Sequence, residues 1–400
     1  MFRIFYAESD ATLYEGVNTS SERSYMNTGI DEILEVGKRL DDAGARYLKS
    51  RSLVKFSSAE ILAAVSKYSI NLSQCKFLLQ LYTTHAKNLP SQYTIDAKVV
   101  AQPWINGTGF ENGTSIKTDG VSWAVPAISW SLDNQVGNQW ISSSQHIQIN
   151  NSTLSVSGSG QGGSWLYQSG SVGVFNSTNF NQTFFTQPGL TTSEQFSYRP
   201  TDINMDVTGA VRLWLSGSGG NEIENNGFLL KLSDADELSD SVTGVIRFFS
   251  RETHTIYVPK LVLLWDNTVY NTGSIPQVNI ESYSVYTDVK PHYKDTEVAK
   301  IRIYSRDKYP QKSPTNLYPY AAVKALPETT YYAVYDAYTD EAIIGYDDIY
   351  SKVSCDSTSN YIHIDMNGFM PERYYRLEFK IVDGFTEQYV SDQIYFKVVR

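Results

Sequence analysis

Short runs in which apolar and polar residues alternate recur along the last third of the chain, and they strongly constrain its fold. Between residues 276 and 400 these runs are VNIESYSVYTDV, KIRIYSRDKYP, YYAVYDAYTDEAIIGYDD, NYIHIDMNGF, RYYRLEFKIVDG and QIYFKVVR. They follow one another at roughly ten to fifteen residues, with Gly, Pro, Asp and Asn between them, a spacing typical of antiparallel sandwiches. We therefore predict a C-terminal immunoglobulin-like β-sandwich over residues 276–400.

Residues 1–267 predict a second, larger sandwich, so that the whole chain is mainly β. Strand-like runs are RIFYA, ATLYEG, CKFLLQLYTTHA, SQYTIDAKVVAQPW, MDVTGAVRLWLSG, GFLLKLS, VIRFFS and TIYVPKLVLLWD, whereas residues 26–40 show little regular period. In MDVTGAVRLWLSG the alternation of Val211, Leu213 and Leu215 favours a strand. The 29 tyrosines, against 5 methionines, also favour sheets over helix bundles.

One short helix is predicted, in SSAEILAAVSKY. Ser57 and Glu60 have the spacing of a capping box, in which each side chain satisfies an unpaired backbone amide of the first helical turn. The helix face predicted to be buried consists of Ile61, Leu62, Val65 and Tyr68.

Charge and cysteine content exclude several classes of function. The 33 basic and 43 acidic side chains give a net charge of −10, which argues against nucleic-acid binding because such binding needs clustered Lys and Arg. Cys75 and Cys355 lie far apart without metal-ligand spacing, so we predict no disulfide, zinc site or cofactor. No apolar run reaches the roughly 18 residues of a membrane helix, and MFRIFYAESD lacks the features of a classical signal peptide.

The segment GVIRFFSRETHTIYVPKLVLLWDN raises the question of acid/base chemistry, because it places Arg251, Glu252 and His254 between two apolar runs. We predict a strand-to-strand connection there. The acidic stretch SDADELSD, residues 233–240, lacks the spacing of a calcium loop and is predicted to be a solvated loop. The glycine-rich stretch GSGQGG, residues 158–163, lacks the Lys-Ser or Lys-Thr of a phosphate-binding loop. We therefore predict no catalytic residue, no metal ligand and no enzymatic activity.

Residues 104–200 differ in composition from the rest of the chain. They are rich in Gly, Ser, Asn, Gln and Thr, yet they contain Trp104, Trp123, Trp130, Trp140 and Trp165. A disordered linker rarely holds so many large aromatic side chains. We predict long ordered loops, inserted into the first sandwich and held by tryptophans, that make contacts.

Nine segments of the first 267 residues are informative when they are taken in order: ATLYEG, MNTGIDEILEVG, SRSLVKF, FLLQLYTTHAKNLPSQYTIDAKVVAQPW, INGTGFENG, DGVSWAVP, DINMDVTGAVRLWLSG, NNGFLLKLS and FFSRETHTIYVPKLVLLWD. Together they resemble the DNRLRE-type (disaggregatase-related) domain found in virion structural proteins of tailed bacteriophages. The resemblance implies a jelly roll over residues 1–267, with its last two strands between Phe248 and Trp265. A hinge at residues 268–275 would then join the jelly roll to the C-terminal sandwich.

The resemblance implies a bacteriophage protein of the virion tail or neck, assembled in the bacterial host cytoplasm, and the lack of candidate catalytic residues favours a non-enzymatic role. The protein would form a symmetric ring with copies of itself and contact other tail or neck proteins. The alternative is a carbohydrate-binding module that attaches the particle to host polysaccharide, while a polysaccharide-degrading enzyme ranks last because no acid pair stands out. The candidate aromatic residues, for a glycan site or for a subunit interface, are Trp123, Trp130, Trp140 and Trp165.

Overall fold

The structure is a computed structural model. It describes residues 1–17, 22–41, 43–44, 46–111, 117–127, 139–141, 146–149, 152–158, 160–167, 190–197, 202–215, 223–315, 317–384 and 386–400. The chain divides into a larger unit, Phe5–Leu72 with Lys76–Val262, and a smaller unit, Met1–Ile4 with Ser73–Cys75 and Leu263–Arg400. The fold is mainly β, as predicted. The predicted hinge at residues 268–275 stays a prediction.

Up to Trp265 the described residues form fifteen strands, most of them antiparallel. Their order in the eight-stranded sheet is β11-β7-β13-β4-β3-β14-β6, with β2 paired to β4, and the other sheets are β1-β15-β5-β12 and β10-β9-β8. The strands are β1 Phe2–Tyr6, β2 Ser9–Tyr14, β3 Ile33–Leu40, β4 Tyr47–Lys55, β5 Cys75–Leu81, β6 Thr83–Lys87, β7 Gln92–Val99, β8 His146–Ile149, β9 Ser152–Ser157, β10 Trp165–Tyr167, β11 Thr191–Ser197, β12 Ile203–Asp206, β13 Phe228–Leu232, β14 Gly244–Phe249 and β15 Lys260–Trp265.

Strand β3, which lies between β4 and β14, was not predicted, because its residues lack a period of two. Every residue from Leu34 to Lys38 is buried, and two of these five, Glu35 and Lys38, are charged. A strand covered on both faces shows no apolar–polar alternation. The polar residues in it then conceal the apolar run that would otherwise have marked a buried strand.

Three α-helices lie among the described residues, where one was predicted: α1 Ser58–Lys67, α2 Thr208–Leu215 and α3 Asp234–Leu238. Helix α1 is the predicted one, and the Ser57 side chain caps it by accepting a hydrogen bond from the Glu60 backbone N–H. Ile61 is fully buried as expected, but Leu62 is 48% exposed. The prediction for Leu62 was wrong because Ala64, not Leu62, completes the buried face.

The strand predicted in MDVTGAVRLWLSG is wrong in its second half, which forms helix α2. The Asp206 carboxylate, at the end of β12, accepts hydrogen bonds from the Thr208 backbone N–H at 3.0 Å and from its hydroxyl at 2.6 Å. This arrangement starts the helix by satisfying a free amide. The buried helix positions are Ala210, Val211, Leu213 and Trp214, a helical spacing that the alternation of Val211, Leu213 and Leu215 concealed.

The smaller unit is a β-sandwich of two sheets, β16-β18-β22-β21 and β17-β24-β23-β19-β20. Alternate residues of β18 and β23, such as Ile301 and Leu377, are fully buried, so each sheet turns one face to the core of this unit and one to solvent. The strands are β16 Tyr283–Thr287, β17 His292–Lys294, β18 Val298–Asp307, β19 Thr330–Asp336, β20 Ala342–Ile344, β21 Ser354–Cys355, β22 Asn360–Asp365, β23 Tyr374–Asp383 and β24 Thr386–Val399.

No helix among the described residues has both the length and the apolar character required to cross a membrane. Both cysteines are buried, and neither forms a disulfide.

Candidate functional site

Three of the four tryptophans singled out in the sequence lie in the core of the larger unit. Trp123, Trp140 and Trp165 are 5%, 2% and 7% exposed, and they share one apolar cluster with Leu53 and Leu229 of the eight-stranded sheet. Trp130 lies outside the described residues. A ring covered by protein cannot stack on a sugar from solvent, so this placement counts against a glycan-stacking role for the three described tryptophans.

A buried network of charged side chains lies next to these tryptophans on the eight-stranded sheet. Lys231 of β13 lies opposite Asp96 of β7, and Asp96 lies opposite Ser193 of β11. The Ser193 hydroxyl donates to the Asp96 carboxylate at 2.7 Å. Arg51 of β4 is also buried. Charged groups in such a position require partners, because an isolated buried charge is very unfavourable.

Helix α3 supplies the carboxylate at the centre of this network. Arg51 donates to the two Glu237 oxygens from Nε at 2.9 Å and from Nη2 at 2.7 Å. Lys231 Nζ lies 3.1 Å from Glu237 and 2.6 Å from Asp234. The prediction of a solvated loop at residues 233–240 was therefore wrong. The Ser233 side chain caps a short helix there, and that helix turns Glu237 towards two buried cations.

Trp165 lies among three cations. Arg51, Lys98 and Lys231 place their charged groups 5.4, 5.2 and 5.4 Å from its ring centre, within the range of a cation–π interaction. The glycine-rich stretch at residues 158–163 contributes as well, because the Gly162 carbonyl accepts a hydrogen bond from Arg51 Nη1 at 2.6 Å. Gly162 therefore belongs to the scaffold around Arg51.

Opposing effects set the protonation of the network. Burial raises the pKa of Glu237, but Arg51 and Lys231 outweigh burial and hold this pKa below its ordinary value. Burial also lowers the pKa of Lys231, although Glu237 and Asp234 act in the opposite direction. The carboxylate is thus kept charged between two cations. This arrangement suits a structural ion network rather than a proton-transferring group.

Residues 250–259, which begin with SRETH, connect β14 to β15. A strand-to-strand connection lies there as predicted, but it also includes TIYVP, which was predicted to be strand. The Arg251 backbone N–H donates to Asp10 at 2.6 Å, and its guanidinium lies 2.8 Å from Glu252. The side chain of His254 is 92% exposed, 3.7 Å from Glu32. Asp10 is buried, and burial raises its pKa to about 7. Within the described ranges, no three or more His, Cys, Asp or Glu side chains form a group that could hold a metal ion.

The exposed tyrosines of the smaller unit form a candidate site that the sequence did not single out. Two rows cross the outer face of the five-stranded sheet. One row pairs Tyr335 with Arg376 and Arg376 with Tyr395, and the other joins Tyr331, Lys380 and Tyr389. We call this outer face, with Tyr338 and Tyr374 beside it, the tyrosine face. The signal was present in the outward positions of YYAVYDAY and RYYRLEFK, where tyrosine alternates with core residues.

Hydrogen bonds and ring contacts hold these tyrosines in place. The Arg376 guanidinium lies 4.9 Å from the Tyr335 ring centre. The Tyr346 hydroxyl donates to Glu378 at 2.9 Å, and the Tyr346 ring packs edge-on against Tyr389 at 5.9 Å. Side chains held in this way lose little conformational entropy when another molecule covers them.

Large exposed tyrosines among the described residues are confined to the smaller unit. On the tyrosine face, Tyr338, Tyr389, Tyr395 and Tyr374 are 72%, 56%, 44% and 41% exposed. Elsewhere in the same unit the exposed tyrosines are Tyr286, Tyr309, Tyr318 and Tyr320. Tyrosine is enriched in protein interfaces because its ring provides apolar area while its hydroxyl keeps a polar partner.

No protein-family model matches the sequence, and no curated protein matches it significantly. Among solved structures, the β-glucuronidase of Parabacteroides merdae aligns at 10% identity over 81% of this chain and 28% of its own, with a TM-score of 0.17. The adhesin domain of Epf from Streptococcus pyogenes aligns at 7% identity over 100% of this chain and 97% of its own, also with a TM-score of 0.17. Neither similarity is close enough to support an argument about fold or function.

Proposed function

We propose that this chain is a non-enzymatic structural protein that assembles with copies of itself through its smaller unit. One observation carries the proposal. The tyrosine face exposes several large rings on a regular sheet, with cations and carboxylates fixed between them. Interfaces between proteins are enriched in tyrosine and arginine, and their energetic centres are rigid aromatic anchors.

The kind of assembly follows from the sequence resemblance to virion proteins of tailed bacteriophages. On that basis the chain is a tail or neck component that forms a symmetric ring and contacts other tail or neck proteins. Its place of assembly is the host cytoplasm. In this proposal the larger unit is a scaffold, whose buried ion network and tryptophans hold the described residues around Trp123, Trp140 and Trp165 against the eight-stranded sheet.

Glycan attachment is the second candidate, and it now rests on different residues. Because Trp123, Trp140 and Trp165 are covered, sugar rings would have to stack on exposed tyrosines such as Tyr338 and Tyr389. Aromatic rings with a polar edge suit sugars as well as proteins. Glycan binding that disappears when these two tyrosines are replaced would favour this candidate.

The test of assembly is the mass of the protein in solution, measured by light scattering over a range of concentrations. The wild type is expected to form a discrete oligomer, whereas Tyr338→Ser/Tyr389→Ser/Tyr395→Ser is expected to shift towards monomer. Leu238→Ser is a matched control, because Leu238 is 80% exposed in the larger unit. A wild type that is monomeric at every concentration would overturn the proposal, as would an oligomer that the triple substitution leaves intact.

A further inference from the structure

A strongly basic segment stands out in a chain that is acidic overall. Residues 300–324 contain six basic side chains and one acidic one, so the segment carries 6 − 1 = +5, whereas the whole chain carries −10. We call residues 300–324 the basic segment. A charge of this sign, concentrated in one place, produces a local field that favours an acidic partner.

The basic side chains of β18 lie on the outer side of the four-stranded sheet. Along β18 the buried Ile301 and Ile303 alternate with Lys300 and Arg302, whose side chains keep contact with solvent. The loop that follows is exposed and aromatic, with Leu317 at 64%. Its exposed tyrosines are Tyr309 at 76%, Tyr318 at 80% and Tyr320 at 53%.

Half of the cations in the basic segment have no carboxylate partner within the described residues. Lys300 and Arg302 pair with Asp356, and Lys324 pairs with Asp307. By contrast, the charged groups of Arg306 and Lys308 lie over tyrosine rings, 5.0 Å from Tyr320 and 5.7 Å from Tyr309. Lys312 is exposed and forms no ion pair in the part of the chain that the structure describes.

An acidic counterpart borders the tyrosine face. Residues 336–348, which we call the acidic segment, contain five acidic side chains and no basic one, a charge of −5. They include β20, at the edge of the five-stranded sheet. Asp336 pairs with Arg373, and Asp340 pairs with Arg376. Glu341, Asp347 and Asp348 form no ion pair within the described residues.

We propose that copies of this chain associate head to tail, with the basic segment of one copy covering the acidic segment and tyrosine face of the next. The two sheets bury their inner faces in one core, so their outer faces point in opposite directions. Because the two surfaces lie on opposite sides of the sandwich, the basic segment cannot contact the acidic segment and tyrosine face of the same copy. A contact between two different surfaces can repeat from copy to copy, and it closes into a ring when the rotation allows.

This inference rests on the proposed self-assembly and deepens it by naming the two surfaces that meet. It predicts that Lys308→Glu/Lys312→Glu weakens association by at least about tenfold and reduces its dependence on salt. Lys67→Glu/Lys87→Glu makes the same charge change at exposed lysines of the larger unit and is expected to leave association unchanged. Circular dichroism confirms that each variant is folded.

A mixing experiment separates a head-to-tail contact from a symmetric one. Lys308→Glu/Lys312→Glu leaves the tyrosine face intact, and Tyr338→Ser/Tyr389→Ser/Tyr395→Ser leaves the basic segment intact. Each variant alone is expected to be monomeric, because it lacks one of the two surfaces. Mixed in equal amounts, the two are expected to form a complex of two chains that does not grow further, which light scattering measures directly.

The outcomes distinguish this inference from the proposed function. A monomeric wild type overturns both. A wild-type oligomer that the lysine substitutions leave unchanged overturns the head-to-tail contact alone. A mixture that stays monomeric also overturns it, because the intact basic segment of one variant then fails to bind the intact tyrosine face of the other. A lysine variant that still forms a dimer through its tyrosine face overturns it as well, because that result indicates a symmetric interface.

Discussion

The buried ion network of the larger unit makes a quantitative prediction for Glu237→Gln. The substitution keeps the volume of the side chain but removes the charge that faces Arg51 and Lys231. Breaking a buried ion pair at one partner costs about 3–5 kcal/mol of unfolding free energy. Arg51 keeps the Gly162 carbonyl at 2.6 Å, and Lys231 keeps Asp234 at 2.6 Å. We therefore expect a loss of about 3 kcal/mol, at the lower end of that range.

The assay is urea unfolding at pH 7, followed by far-ultraviolet circular dichroism and tryptophan fluorescence. Glu297→Gln is the control: its partner Lys290 is 3.2 Å away, and the two side chains are 36% and 63% exposed, so a loss of at most about 1 kcal/mol is expected. A Glu237→Gln protein within about 1 kcal/mol of the wild type would refute the reasoning, since the network would then contribute no more than a surface pair.

Acid should remove the difference between the wild type and Glu237→Gln. The pKa of Glu237 is lower in the folded protein than its ordinary value of 4.5. Its charge therefore stabilises the fold above the ordinary value, and this contribution is lost as the pH falls through the folded pKa. Replacing Arg51, Lys231 and Glu237 together by Met should be far less harmful than Glu237→Gln, because no uncompensated charge is left among them.

Three further predictions concern other positions of the larger unit. Burial raises the pKa of Asp10 from 3.8 to about 7, so the unfolding free energy of the wild type should fall as the pH rises from about 4 to 7. Urea unfolding of Asp10→Asn should not show this part of the pH dependence. Gly162→Ala should lower the free energy of unfolding by about 1–3 kcal/mol in the same assay, because φ is +71° and the added Cβ would lie 2.8 Å from the Trp123 ring. The control Gly345→Ala should be neutral, because its added Cβ would meet nothing within 4 Å. Ser57→Ala should cost about 1 kcal/mol in thermal or urea unfolding, because α1 loses its capping hydrogen bond.

The sequence predicted best those strands that have one buried and one solvated face. In β23, for example, the buried Leu377 and Phe379 alternate with Arg376 and Glu378, which reach solvent, so the period of two is visible in the residue types. β3 lacks that signal because it is covered on both sides. Helix α2 was mistaken for a strand because Val211, Leu213 and Leu215 alternate by chance within a helical set.

The interpretation of the tryptophans depended on information that the sequence does not contain. A tryptophan in a polar segment is compatible with two structures: an exposed ring that binds a ligand, or a buried ring that anchors a loop to the core. Trp165 is fixed because Arg51, Lys98 and Lys231 converge on it from three different strands. Pairing between strands far apart in the chain creates that convergence, and no local motif reports it.

The distribution of charge along the chain is more informative about partners than its net charge. A total of −10 argues against a nucleic-acid partner, but it averages over the +5 of residues 300–324 and the −5 of residues 336–348. The two segments are eleven residues apart in sequence and flank β19 in the same unit. Their opposite charges could have neutralised each other through ion pairs, yet the ion pairs of Lys324, Asp336 and Asp340 go to residues outside the opposing segment. The charges of the two segments therefore remain available to a second molecule. A second copy of this chain carries an acidic segment for the basic one and a basic segment for the acidic one.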